Sequence, residues 1–198
     1  MPYHHGNLRA ALVEAAVELA AKDGPDAVVL REVARHVGVS HNAAYRHVAN
    51  RDELLHAVAA RAHSRFGELM RARIAEAAPG RRGKQASYDR FEACGRAYVE
   101  FATEHTGLFR TLLAFPMGNV APDDDSVPQP YDQLAERLDE LVTVKAITSQ
   151  RRANAEVAAM SAVHGFAMFV IDGPWGDVPA DQRERDLAEV LRVVRTGV

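Results

Sequence analysis

Residues 38–54, GVSHNAAYRHVANRDEL, decide how the chain is read. Gly38 closes a short segment in which Leu30, Val33, Ala34 and Val37 recur at helical spacing, and Ser40 stands where a helix N-cap belongs. Two short helices joined by Val37-Gly38-Val39 make a helix-turn-helix, with glycine relieving the tight turn. The second helix is expected to run from Ser40 to about Ala49. Its spacing turns Ala44 and Val48 inward, beside Val33 and Val37, and leaves His41, Asn42, Tyr45 and Arg46 outward. In such a unit the second helix enters the major groove N-terminus first. An amide can pair with adenine, a guanidinium with guanine or phosphate, and a phenol with phosphate. The plainer reading is a solvated polar face on an ordinary helical bundle.

Charge separates the two readings. The chain carries 24 Lys+Arg against 27 Asp+Glu, a net charge of −3 with histidines neutral. That total argues against nucleic acid, but clustering matters more than the sum. Residues 33–51 hold no carboxylate, yet include Arg35, Arg46 and Arg51 with His36, His41 and His47. The acid-free window, the turn glycine and the exposed Tyr45 favour DNA.

Working outward, apolar residues repeat at three and four almost throughout, so the fold class is all-α. Leu8, Leu12, Ala15, Ala16 and Leu19 form a first stripe, with Asn7 as N-cap and Gly24-Pro25 as stop. Asp52 and Glu53 suit the first turn of a long fourth helix, where carboxylates complement the dipole. Its inner face is Leu55, Val58, Ala62, Phe66, Leu69 and Met70, and it ends near Pro79-Gly80. Gly80–Ala86 has loop composition. Further helices are expected at about 88–105, 108–115, 131–144, 152–171 and 180–195. Pro116–Pro130, with four prolines and three consecutive aspartates, and Asp172–Pro179 read as loops. The head, residues 1–50, has only Tyr3 and Tyr45 as aromatics, while all seven phenylalanines lie at or after Phe66. Residues 51–198 therefore form the larger body.

A single cysteine, Cys94, precludes an intramolecular disulfide and suits a reducing compartment. No secretory signal is visible, and the apolar run Ala162–Ile171 is too short to span a bilayer, so a cytoplasmic protein with no membrane partner is expected. No G-x-S-x-G, phosphate-binding loop or dinucleotide turn is present, and Cys94 has no evident histidine partner, so no enzyme is expected. Nine histidines invite a metal, but His4-His5 are adjacent, and His36, His41 and His47 lack cysteine or carboxylate support. No metal or other cofactor is expected.

The 38–54 segment resembles the signature of TetR-family regulators, in which Gly38, Ser40, Tyr45, His47, Arg51 and Leu54 fall in register. Val48 stands where the family commonly has phenylalanine and Arg51 where it has lysine, and both are mild changes. The opening, Tyr3 to Ala16, is similar to that of a subgroup named for a Trp-His-Gly motif, here Val163-His164-Gly165. Ala97–Leu113 resembles the sensing domain of that subgroup. The resemblance implies a three-helix head, a ligand domain of about six helices, and dimerisation through the last two helices. It also implies a repressor that leaves a palindromic operator when a small apolar inducer binds; a protein-binding scaffold or a ligand-independent regulator is the alternative.

Site residues follow. Contacts to duplex DNA are expected from Arg31, Ser40, His41, Asn42, Ala43, Tyr45, Arg46, His47 and Arg51, with Arg51 on phosphate. A ligand cavity would draw on Phe66, Met70, Tyr98, Phe101, Phe109, Leu112, Phe115, His164 and Met168. His164 is otherwise a hydrogen-bonded core histidine. A homodimer interface is expected from Val157 and Met160 on a nearly all-apolar helix and from the stripe Leu187, Val190, Leu191 and Val194.

Overall fold

The computed structural model describes residues 8–116, 119–120, 123–124 and 126–197. The expected Asn7 cap and the resembling residues Tyr3 to Asn7 lie outside them. Among the described residues the regular structure is helical: α1 Leu8–Asp23, α2 Leu30–Val37, α3 His41–Ala44, α4 Arg51–Ala77, α5 Lys84–Glu104, α6 Thr106–Leu113, α7 Pro130–Thr143, α8 Ser149–Ile171 and α9 Ala180–Gly197. A 3-10 turn, Pro25–Ala27, links α1 to α2.

The chain divides into two compact units. One takes in residues up to Ser64 together with His105–Ser126; the other comprises Arg65–Glu104 and Val127–Val198. Helix α4 begins in the first and ends in the second.

The first unit has an aliphatic core in which Leu12, Ala16, Ala20, Val28, Val33, Ala44 and Val58 are fully buried. It also contains α6, which packs on α1 and on the Pro25–Ala27 turn. Gly107 makes this approach workable, because a Cβ there would lie 2.0 Å from the Ala20 carbonyl oxygen. Asn50 and Glu53 start α4: the Glu53 N–H donates to Asn50 Oδ1 at 2.8 Å, and the Ala49 N–H donates to Glu53 Oε2 at 2.7 Å. The Ala49 N–H, then the Arg9 guanidinium, hold the Glu53 carboxyl below its ordinary range.

In the second unit α5 packs on α7, α8 and α9. Phe101, Ala97, Leu138, Leu141 and Ala167 are fully enclosed. Arg90 on α5 reaches Glu140 on α7, which also accepts from the Ser87 hydroxyl at 2.7 Å. Arg90 first, then Ser87, keep Glu140 below the usual carboxylate range despite burial. Helix α8 spans 23 residues and is by length and composition long enough to cross a bilayer. Here it packs against α5, α7 and α9.

Candidate functional site

Gly38 ends α2 in the left-handed conformation, at φ 78° and ψ 28°. Open space surrounds the position a Cβ would take, so backbone geometry alone requires glycine. The Val39 N–H closes the turn onto the Ala34 carbonyl at 2.9 Å. Ser40 then starts α3, its Oγ accepting from the Ala43 N–H at 3.2 Å.

Helix α3 is shorter than expected, because regular α-helix stops at Ala44. A tighter turn continues it, with the Arg46 N–H donating to Ala43 and the His47 and Val48 N–H groups to Ala44. The facing residues are nevertheless as the spacing required. Ala44 and Val48 are buried, Val37 and Ala43 are half-buried, and His41, Asn42, Tyr45, Arg46 and His47 are exposed. The His41 and Tyr45 rings meet edge to face at 4.6 Å.

The basic side chains of this face differ in how far they are committed. Arg35 pairs with Glu32 at 2.6 Å and His36 with Glu18 at 2.9 Å, both acids lying outside the acid-free window. Arg31 and Arg46 are exposed, and neither forms an ion pair among the described residues. Arg51 is turned onto the protein instead of outward: its Nε donates to the Val28 carbonyl at 2.8 Å and its Nη2 to the Pro25 carbonyl at 2.7 Å. Asp26 lies 3.6 Å away. In this structure Arg51 ties α4 to the turn before α2. Charge-assisted bonds of this kind contribute about 1–3 kcal/mol. Arg51→Ala is expected to lower head stability by that order, seen as a drop in the thermal midpoint without DNA. An unchanged midpoint would show the tie to be inert.

The second unit encloses a small cavity of about 30 Å³. Helix α4 supplies Phe66 and Met70, and α5 supplies Phe91, Cys94 and Tyr98 at helical spacing; α7, α8 and α9 complete the wall. Burial pushes the Cys94 thiol up to about 12, and burial likewise raises the Tyr98 phenol. The cavity thus presents neutral polar groups and apolar surface.

Three of the nine expected cavity residues, Phe66, Met70 and Tyr98, line it. Phe101 stacks on Phe66 at 4.7 Å as a fully buried backing. His164 is half-buried, its Nδ1 2.9 Å from the Tyr98 hydroxyl. Met168 is half-buried on α8, away from the lining. Phe109, Leu112 and Phe115 sit in the first unit, apart from this lining; Phe109 is core there, and Phe115 meets His56 at 4.3 Å. Phe91, Tyr131 and Leu134 were missed, although Phe91, Cys94 and Tyr98 share one face of α5.

The expected dimer residues divide as well. Met160, Leu191 and Val194 line the cavity, Leu187 is buried and Val190 is half-buried. Leu187 and Leu191 are already covered by their own chain. Val157 is 71% exposed, and Val193, not anticipated, is 55% exposed.

A glycine-turned helix pair with an exposed polar second helix, followed by a larger helical domain, defines a helix-turn-helix DNA-binding regulator. Residues 12–58 match the tetR family of bacterial regulatory proteins, and residues 91–194 match a tetracyclin repressor-like C-terminal domain. The chain belongs to the TetR family and is a DNA-binding transcription regulator. No protein of curated function matches it. It is similar in fold to a solved Rhodococcus sp. RHA1 protein of unknown function, at 26% identity and TM-score 0.68, covering 100% of this chain and 98% of that one. A TetR variant from Acinetobacter baumannii AYE in complex with minocycline is 16% identical, with TM-score 0.59 and coverage of 99% and 96%. The multidrug binding protein EbrR complexed with imidazole is 20% identical, with TM-score 0.54 and coverage of 94% and 93%.

Proposed function

We propose that the protein is a cytoplasmic homodimeric repressor that binds a near-palindromic operator through residues 1–50 and leaves it when a small apolar ligand enters the body, residues 51–198. The observation that carries the DNA half is the exposed row of Asn42, Tyr45 and Arg46 on a helix whose N-terminus Ser40 caps, together with exposed Arg31 on α2. Ser40, His41, Ala43 and His47 complete the contact set. Selecting duplexes from a random pool tests it. The expected site has two half-sites about 34–36 Å apart and holds two chains. A single unrepeated half bound by one chain would contradict it.

Asn42→Ala and Arg46→Ala are each expected to cost about 1–3 kcal/mol at particular base pairs and to relax preference there. Binding of both variants to mutated sites checks this, and a uniform loss over all sequences would reassign them to phosphate.

The ligand half rests on the neutral, apolar lining around Phe66, Met70 and Tyr98 and on the continuity of α4. The helix bearing Phe66 and Met70 is the one whose start is bonded to the turn before α2 through Arg51. A ligand alters DNA affinity only by favouring one of two states, here by about 1–3 kcal/mol. Met70→Ala is expected to change the response to an apolar inducer while leaving ligand-free operator affinity nearly intact, as titration with and without ligand would read. Loss of both together would place Met70 in the structural core alone. The subgroup named for Trp-His-Gly is inferred from Val163-His164-Gly165, supported by the His164–Tyr98 contact at the cavity wall.

A further inference from the structure

The second unit also holds a groove of about 530 Å³ formed by α4, α5, α8 and α9, separate in its lining from the small apolar cavity. Pockets of a few hundred Å³ are the usual size for small-molecule ligands. One wall is apolar: Val99, Phe166, Val170 and Leu187 are buried or lie against it. The other is charged, and its charges are unequally committed. Arg73 pairs with Glu100, Nη2 to Oε1 at 2.5 Å and Nε to Oε2 at 2.8 Å. Arg96 pairs with Glu184. Arg183 has no carboxylate partner among the described residues, and its Nε is enclosed without an acceptor from the protein. Glu104 is exposed at the rim.

Two of the three arginines are thus neutralised in place, while the third lines the groove beside an apolar wall with no carboxylate paired to its charge among the described residues. A guanidinium fork matches a carboxylate in shape and charge, and enclosure strengthens that pairing. We propose that this groove binds small carboxylic acids with an aromatic or aliphatic body, the carboxylate on Arg183 and the body against Phe166 and Val170. An alcohol of the same body would keep the apolar contacts and lose the ion pair. The charged Glu104 rim disfavours ligands with more than one acidic group.

Calorimetric titration of the full-length protein with 3-phenylpropionate and hexanoate, beside 3-phenylpropan-1-ol and hexan-1-ol, tests this without DNA and without the inducer of the inner cavity. Its outcome is therefore independent of the sensing role proposed above. At least one acid is expected to bind saturably, about tenfold or more tighter than its alcohol. Arg183→Gln should remove that preference and leave the alcohol's affinity unchanged. Equal binding of acid and alcohol, full acid affinity in Arg183→Gln, or no binding of either acid would overturn the proposal. Should Arg183→Gln fail to fold, the acid and alcohol titrations of the unaltered protein decide it.

Discussion

Leu191→Glu is expected to unfold the C-terminal unit, with a loss of about 4 kcal/mol or more. Leu191 is 3% exposed, and its Cδ2 lies 2.5 Å from where a Cβ on Gly95 would stand. A carboxylate there would lose its water and find an apolar cavity wall instead of a partner. Thermal unfolding should show a collapsed or absent C-terminal transition. An intact fold with only the dimer lost would mean that Leu191 faces a partner chain after all.

Val157→Glu is expected to do the opposite. Val157 is 71% exposed on α8, so the chain alone tolerates a charge there, and the thermal midpoint of the isolated chain should hardly move. In the proposed dimer, in which α8 and α9 meet their copies, the same charge would be buried between copies. Separating the protomers removes the linked second half-site, a loss of about 10²–10⁴ in operator affinity. Light scattering together with operator titration reads both effects. A stable dimer with full operator affinity would move the interface elsewhere.

The contrast between these two residues marks what the sequence could convey. Periodicity identified the apolar stripe of α9, because a helix that buries one face must repeat at three and four. It could not say whose surface covers that face, since the pattern is the same for a partner chain or for α5 and α8 of the same chain. Phe109 and Phe115 fall outside the cavity lining for a related reason. They are apolar residues of the body in sequence order, but the chain returns through α6 to pack on α1. The one local sign of that close approach was Gly107.

The head was more legible, because its features are short-range. A left-handed glycine, a serine cap and two inward residues four apart determine the turn and the exposed face without reference to distant segments. Its details are set by neighbouring segments. Helix α3 gives way after Ala44 to a tighter turn, and Asn50 then caps α4. Arg51 is assigned to phosphate from its charge and its register with the family signature, and neither feature foretells its bonds to the Val28 and Pro25 carbonyls.

The central claim, that the face of Arg31, Asn42, Tyr45 and Arg46 binds duplex DNA, is tested most directly by the salt dependence of operator binding. Affinity for a selected duplex should fall steeply with salt, and Arg31→Ala should flatten the log–log slope by about one unit. A slope near zero, or the same slope in the variant with all four side chains replaced by alanine, would contradict it.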